Sequence, residues 1–190
     1  MTHTLLIRAS GWGMVLAAIS LLLTVLLDQS FPTSVGITLF LFAILLSTLG
    51  LWGLYARYVG QIGNVAKLAL WGGMLGGAAA VVGNIWWAIG GENGRTFMNN
   101  ALAVLFGGLF VFGLLAVQEK PMPRWNGLPA LAGFWWPFIV INANVYHQVT
   151  GRWPNVTFWP SFALFLGMSF FLAWLGYALQ FDAFSQRSQQ

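Results

Sequence analysis

The few charges in this chain are segregated, and no other feature constrains its fold so tightly. Eight basic and four acidic residues among 190 leave six charge-free stretches, at 9–27, 29–56, 68–91, 96–118, 125–151 and 153–181, each of at least 19 residues. Crossing the roughly 30 Å hydrocarbon core of a bilayer takes about 20 residues of α-helix, at about 1.5 Å per residue. All six stretches are long enough. A soluble domain is about 25% charged, whereas this chain is 6% charged and 58% hydrophobic, too few charges to cover a water-facing surface.

The spans are expected to be helices. Hydrocarbon offers no partner to an unpaired backbone N–H or C=O, and these runs lack the alternation of a barrel strand. The expected fold is therefore an all-α integral membrane protein, a compact bundle of six transmembrane helices in a single domain, 1–190. The spans are placed at 10–27, 35–55, 68–89, 98–117, 128–146 and 160–180. The first is read as retained, because its apolar run exceeds that of a secretory signal and Leu26-Leu27-Asp28-Gln29-Ser30 has no small-x-small cleavage site.

Basic residues favour the cytoplasmic side. Arg8, Arg57, Lys67, Lys120, Arg124 and Arg187 fall on one side of a six-span layout, and only Arg95 and Arg152 on the other. Both termini are therefore expected on the cytoplasmic side of a cell membrane. The net charge of +4 is then a product of topology and of contact with membrane lipids, with no need for a nucleic-acid partner.

The third span carries Gly72, Gly76 and Ala80 at four-residue spacing beside Gly73 and Gly77. One face with so little side chain lets another helix backbone approach. This span is expected at the centre of the bundle, its small face packed within the chain rather than in a homo-oligomer. Most of the eleven tryptophans fall near span ends, where indole sits between oil and water. Trp135, Trp136 and Trp174 lie deeper, suited to the core or to a cavity wall.

No Asp, Glu, Lys or Arg lies within any span, which argues against an ion-coupled pump. Cysteine is absent and there are only two histidines, His3 and His147, on opposite sides of the expected topology. No cofactor is expected, since neither a haem nor a metal centre has its ligands.

The one polar grouping is extracytoplasmic. Asn84 and Trp87 end the third span, Glu92 and Arg95 lie in the next turn, Asn99 and Asn100 open the fourth span, and Asn142, Asn144 and His147 end the fifth. Converging, they would form a polar and aromatic pocket for a small ligand or headgroup. Taken separately, they are ordinary interfacial residues, with Asn99 and Asn100 capping a helix that begins at Phe97 or Met98. The segment 142–159 is the longest outside the membrane, and the one suited to a structured cap. Gly90-Gly91-Glu92-Asn93-Gly94-Arg95 reads as a tight turn, and Asn155-Val156-Thr157 as a chance glycosylation triplet.

Arg8-Ala9-Ser10-Gly11, the loop after Leu54-Tyr55-Ala56-Arg57, and Pro121-Met122-Pro123-Arg124-Trp125 together resemble a group of small bacterial membrane proteins with six or seven spans. The likeness covers the layout of most of the chain but only about a dozen identities. It departs from the group at Asn126-Gly127 and in the longer fifth loop. It implies an inner-membrane bundle and carries over no activity.

The expected function is non-enzymatic: a binding, sensory or accessory subunit, with a second membrane protein or another copy of itself as possible partner. A facilitator of small neutral or amphipathic solutes is the alternative, and it needs a continuous polar path. A lipid-modifying enzyme using His147 with Glu92 ranks third, because such enzymes usually gather several acids and bases at one face.

Overall fold

The computed structural model describes residues 2–27, 33–91, 93–122, 125–151 and 158–185. They form six helices, α1 (Thr2–Leu27), α2 (Thr33–Tyr58), α3 (Asn64–Ala88), α4 (Gly94–Glu119), α5 (Leu128–Thr150) and α6 (Phe158–Ser185), with no strand among the described residues. Each contains a segment long and apolar enough to cross a membrane. Number, order and approximate placement agree with the charge-free stretches.

Most helices outrun the expected spans. A helix satisfies its own backbone groups, so it continues past the apolar window until a specific terminator intervenes. On α4 the terminator is Lys120, left-handed at φ 50°, whose N–H donates to the Ala116 carbonyl. On α5 it is Gly151, at φ 67°, whose N–H donates to the His147 carbonyl, a conformation that glycine adopts without strain. At the start of α3, Gly63 has no side chain to offer, and the Glu119 Oε2 at the end of α4 accepts its N–H at 3.0 Å. A carboxylate there also complements the positive end of the helix dipole.

Sequence neighbours pack side by side and α1 packs against α6, so the six helices close into a ring. Contacts fix the antiparallel sense. Gly11 of α1 meets Gly176 and Gln180 of α6, Gly53 of α2 meets Ser10 of α1, and Gly113 of α4 meets Pro129 and Ala130 of α5. The start of α1 and the end of α6 therefore share one end of the ring, the terminal end, with the α2–α3 and α4–α5 connections. The α3–α4 turn lies at the other, the distal end.

The place of α3 differs from expectation. It sits on the ring, not at its centre; α4 is the most deeply packed helix and also touches α2 across the interior. The small residues of α3 do mediate close packing within the chain, but the working stripe is Gly73, Gly76, Ala80 and Gly83, all buried. A Cβ on Gly76 would lie 2.6 Å from the Leu105 nitrogen and 2.9 Å from the Ala101 oxygen, while one on Gly72 would meet nothing within 4 Å. Helical rotation explains the choice, because buried positions alternate steps of three and four to average 3.6. Leu68, Leu75, Val82 and Ile89 occupy the opposite, outward face.

Aromatic rings fill the middle of the ring. Trp136 of α5 is buried and lies 5.7 Å from Phe40 of α2, 6.3 Å from Phe106 of α4 and 5.6 Å from Phe165 of α6, centroid to centroid. Four helices thus meet on one indole. Of the three deep tryptophans, Trp136 belongs to the core, and Trp174 packs edge-on at 4.7 Å against Trp125.

Candidate functional site

The distal end holds the residues singled out from the sequence, and the structure divides them into two groups. Asn84, Trp87 and Arg95 belong to the α3–α4 interface and its turn. Gly90, at φ 90°, turns the chain, and two hydrogen bonds close it, from Gly91 N–H to the Trp86 carbonyl and from Gly94 N–H to the Gly91 carbonyl. The tight turn is as expected; Glu92, within it, lies outside the described residues. The turn brings the Arg95 guanidinium over the Trp87 ring at 5.6 Å from its centroid, a cation–π pair at the exposed edge.

Asn84 is only 1% exposed. Its Nδ2 donates to the Met98 sulfur at 3.4 Å, a weak acceptor, and its Oδ1 is buried with no hydrogen-bond partner. This amide is held between α3 and α4, away from the α5 residues with which it was expected to converge.

The second group lies between α4 and α5. Asn99 and Asn100 do not cap the helix as one reading had it: α4 begins at Gly94 after Asn93, so both stand inside it, Asn99 half-buried and Asn100 exposed. Asn142 is exposed and donates to its own helix at the Phe138 carbonyl; Asn144 is half-buried and donates to Val140. His147 is half-buried on the same side of α5 as Asn144. Residues 142–150 are helical rather than a loop, and 152–157, which include Arg152 and Asn155-Val156-Thr157, lie outside the described residues.

The close approach of α4 and α5 ends abruptly. Toward the terminal end the two backbones touch, with Gly113 against Ala130 and Gly133 against Phe106 and Phe110, where a Cβ on Gly133 would sit 2.5 Å from the Phe106 oxygen. One turn on, the Trp136 indole reaches across and its Nε1–H donates to the Asn99 carbonyl at 3.2 Å. Pro137 follows, with no N–H to return to the Gly133 carbonyl. Opposite it, a Cβ on Gly107 would meet only the Pro137 Cγ, at 3.9 Å.

Beyond Trp136 no α5 residue up to Gly151 is fully buried. Asn99, Ala103, Gly107 and Phe110 on α4, and Pro137, Ile139, Val140, Ala143, Asn144 and His147 on α5, are all half-buried. Ala103 and Val140 also pack against the core. The distal halves of α4 and α5 are therefore less closely packed than their terminal halves, with the Trp136 indole bridging them at the Asn99 carbonyl. Arg95 lies one turn from Asn99 on α4, but its guanidinium is turned to Trp87 of α3.

Trp136 is one of the deep tryptophans suited to the core or to a cavity wall, whereas Pro137, Ala103 and Val140 are not among the site residues expected from the sequence. One signal was available in the Trp135-Trp136-Pro137 run at mid-span, where a proline interrupts helix hydrogen bonding. No family profile, curated protein or solved structure matches this chain. What the residues and their geometry define is an all-helical bundle with six helices capable of spanning a membrane, as in a multi-pass membrane protein.

Proposed function

We propose that this protein is a non-enzymatic subunit of the bacterial inner membrane, binding or accessory in role, with both termini cytoplasmic and its recognition face at the distal, extracytoplasmic end. One observation carries the reading: packing is uneven along the bundle axis. Toward the terminal end α4 and α5 touch backbone to backbone at Gly113 and Gly133, whereas beyond Trp136 no α5 residue up to Gly151 is fully buried, and Asn144 and His147 stand half-buried there with Asn99 on α4. Half-buried polar groups beside apolar side chains suit recognition of a ligand or partner.

A facilitator of small solutes is the second reading, and the same cluster weighs against it. Phe40, Phe106, Trp136 and Phe165 occupy the interior where a polar path would run. Lipid chemistry by His147 and Glu92 draws no support from Asn84 or Asn142, which lie on other surfaces.

Native mass spectrometry of the protein extracted gently from its own membrane tests the proposal. A stoichiometric protein partner, lost when Arg95 and Trp87 are both changed to Ala, is the expected result. A chain that leaves the membrane alone, and whose double variant fully restores a deletion strain, would refute it.

A further inference from the structure

We infer that the bundle is built as two rigid halves, α6–α1–α2 and α3–α4–α5, that rock against each other along the α2–α3 and α5–α6 junctions, with the Trp136 ring between them. This goes beyond the reading of the distal end as a recognition face and stands without it.

Packing differs in kind within and between the halves. Within them, glycines bring backbones together. A Cβ on Gly11 of α1 would lie 2.8 Å from the Gly176 oxygen of α6, and one on Gly13 would lie 3.4 Å from the Leu46 oxygen of α2. In the second half, Gly76 meets the Leu105 nitrogen, Gly108 meets the Ala69 oxygen and Gly133 meets the Phe106 oxygen. Backbones in contact cannot shift unless whole helices move. The hydrogen bonds of Gly63 with Glu119, Asn84 with Met98 and Trp136 with Asn99 also fall inside the second half.

Between the halves the packing is sparser, and side chains make it. The α2–α3 and α5–α6 pairs have the least contact of the neighbouring pairs around the ring. Across the first, the α2 atoms nearest to Gly73 and Gly77 belong to the Leu51 and Thr48 side chains, and Trp71 lies edge-on to Trp52 and Tyr55 at 6.0 and 5.7 Å. Across the second, a Cβ on Gly167 of α6 would lie 3.6 Å from the Trp135 ring, and Trp174 packs edge-on against Trp125. The Trp135 Nε1 is buried there without a hydrogen-bond partner, a donor that a shift of this junction would free to find one. In the interior Trp136 of the second half meets the rings of Phe40 and Phe165 of the first. Side chains change rotamer where backbones cannot, so these junctions accommodate a shear of helices. Because each half is rigid along its helices, a tilt imposed at the distal end also moves the terminal end, and the two faces are coupled.

Spin-label distance measurements on the full chain in lipid nanodiscs test the inference, since a chain without cysteine accepts labels only where they are placed. Leu45→Cys with Val82→Cys spans the α2–α3 junction, Leu16→Cys with Leu45→Cys lies within the first half, and Val82→Cys with Val104→Cys lies within the second. All four positions are exposed. The pair across the junction is expected to show a distance distribution about 1–2 Å wider than those within a half. Trp71→Ala is expected to shift that distance by a similar amount and to leave the other two unchanged. Should Trp71→Ala not fold, by helix content and unfolding temperature, Trp52→Ala loosens the same junction from α2. Equal widths for the three pairs would overturn the inference, as would a folded junction variant that moves the distances within a half as much as the one across, or that moves none of them.

Discussion

Gly72 and Gly76 stand four residues apart on α3 in nearly the same sequence context, yet alanine is expected to act oppositely at the two. Replacing glycine with alanine in a helix gains about 0.5–1 kcal/mol from backbone entropy, and this gain is common to both sites. At Gly72 the new methyl meets nothing within 4 Å, so the gain stands alone. At Gly76 it would lie 2.6 Å from the Leu105 nitrogen and 2.9 Å from the Ala101 oxygen. Those are backbone atoms of α4, which move only if the helix moves. Overpacking of this kind costs about 1–3 kcal/mol. Because the entropy term cancels between the variants, that range is also the expected difference between them. For a chain of this size each kcal/mol shifts the unfolding temperature by about 2–4 °C, so Gly76→Ala should melt about 2–12 °C below Gly72→Ala. Circular dichroism of the two purified variants in one detergent, heated at one rate, reads this directly. Equal unfolding temperatures, or a lower one for Gly72→Ala, would mean that α3 presents a different face to α4 and would refute the packing described above.

Three further outcomes follow from the same structure. Trp136→Phe should destabilise by about 1 kcal/mol, the loss of one hydrogen bond to Asn99, and Trp136→Ala by about 3–5 kcal/mol from the cavity it leaves; thermal unfolding of the pair would show whether four helices depend on this ring. Asn84→Leu should leave stability unchanged or raise it, because the Oδ1 is buried without a partner. A loss above about 2 kcal/mol would mean that this oxygen is engaged after all. Since the chain has no cysteine, single cysteines report sidedness cleanly: Asn93→Cys at the α3–α4 turn should react with an impermeant maleimide on intact cells, and Gly60→Cys only after permeabilisation. The reverse pattern would invert the proposed topology.

Segregation of charge made the number and order of the helices legible, because a span must be long and uncharged whatever it packs against. Helix ends were less legible. Asn99, Asn142 and Thr150 look like boundary residues in a hydropathy reading, yet a helix in progress satisfies their backbone groups at no cost. The stripe of small residues on α3 was visible, but not which glycines touch α4: Gly72 and Gly73 differ only in azimuth, and azimuth is set by the neighbouring helix. For the candidate site, residue types singled out one end of the bundle, and the structure divides those residues between two helix pairs. Asn84 looks equivalent to Asn144 as a polar residue near a span end, but α3 faces α4 while Asn144 belongs to the α4–α5 pair. The Trp136 wedge is a tertiary fact, since its meaning depends on the Asn99 carbonyl 37 residues earlier in the chain.

Closure of the ring by α1 and α6 has a consequence for how the protein is made. As the ribosome delivers the chain, each of the helices from α2 to α5 finds a neighbour beside it soon after it emerges. Helix α1 gains one partner early, in α2, and then waits for most of synthesis with its other side, around Gly11 and Val15, uncovered. The backbone contact of Gly11 with Gly176 is thus the last seam to be sewn, and the seam through which an unfinished bundle stays open to the surrounding lipid.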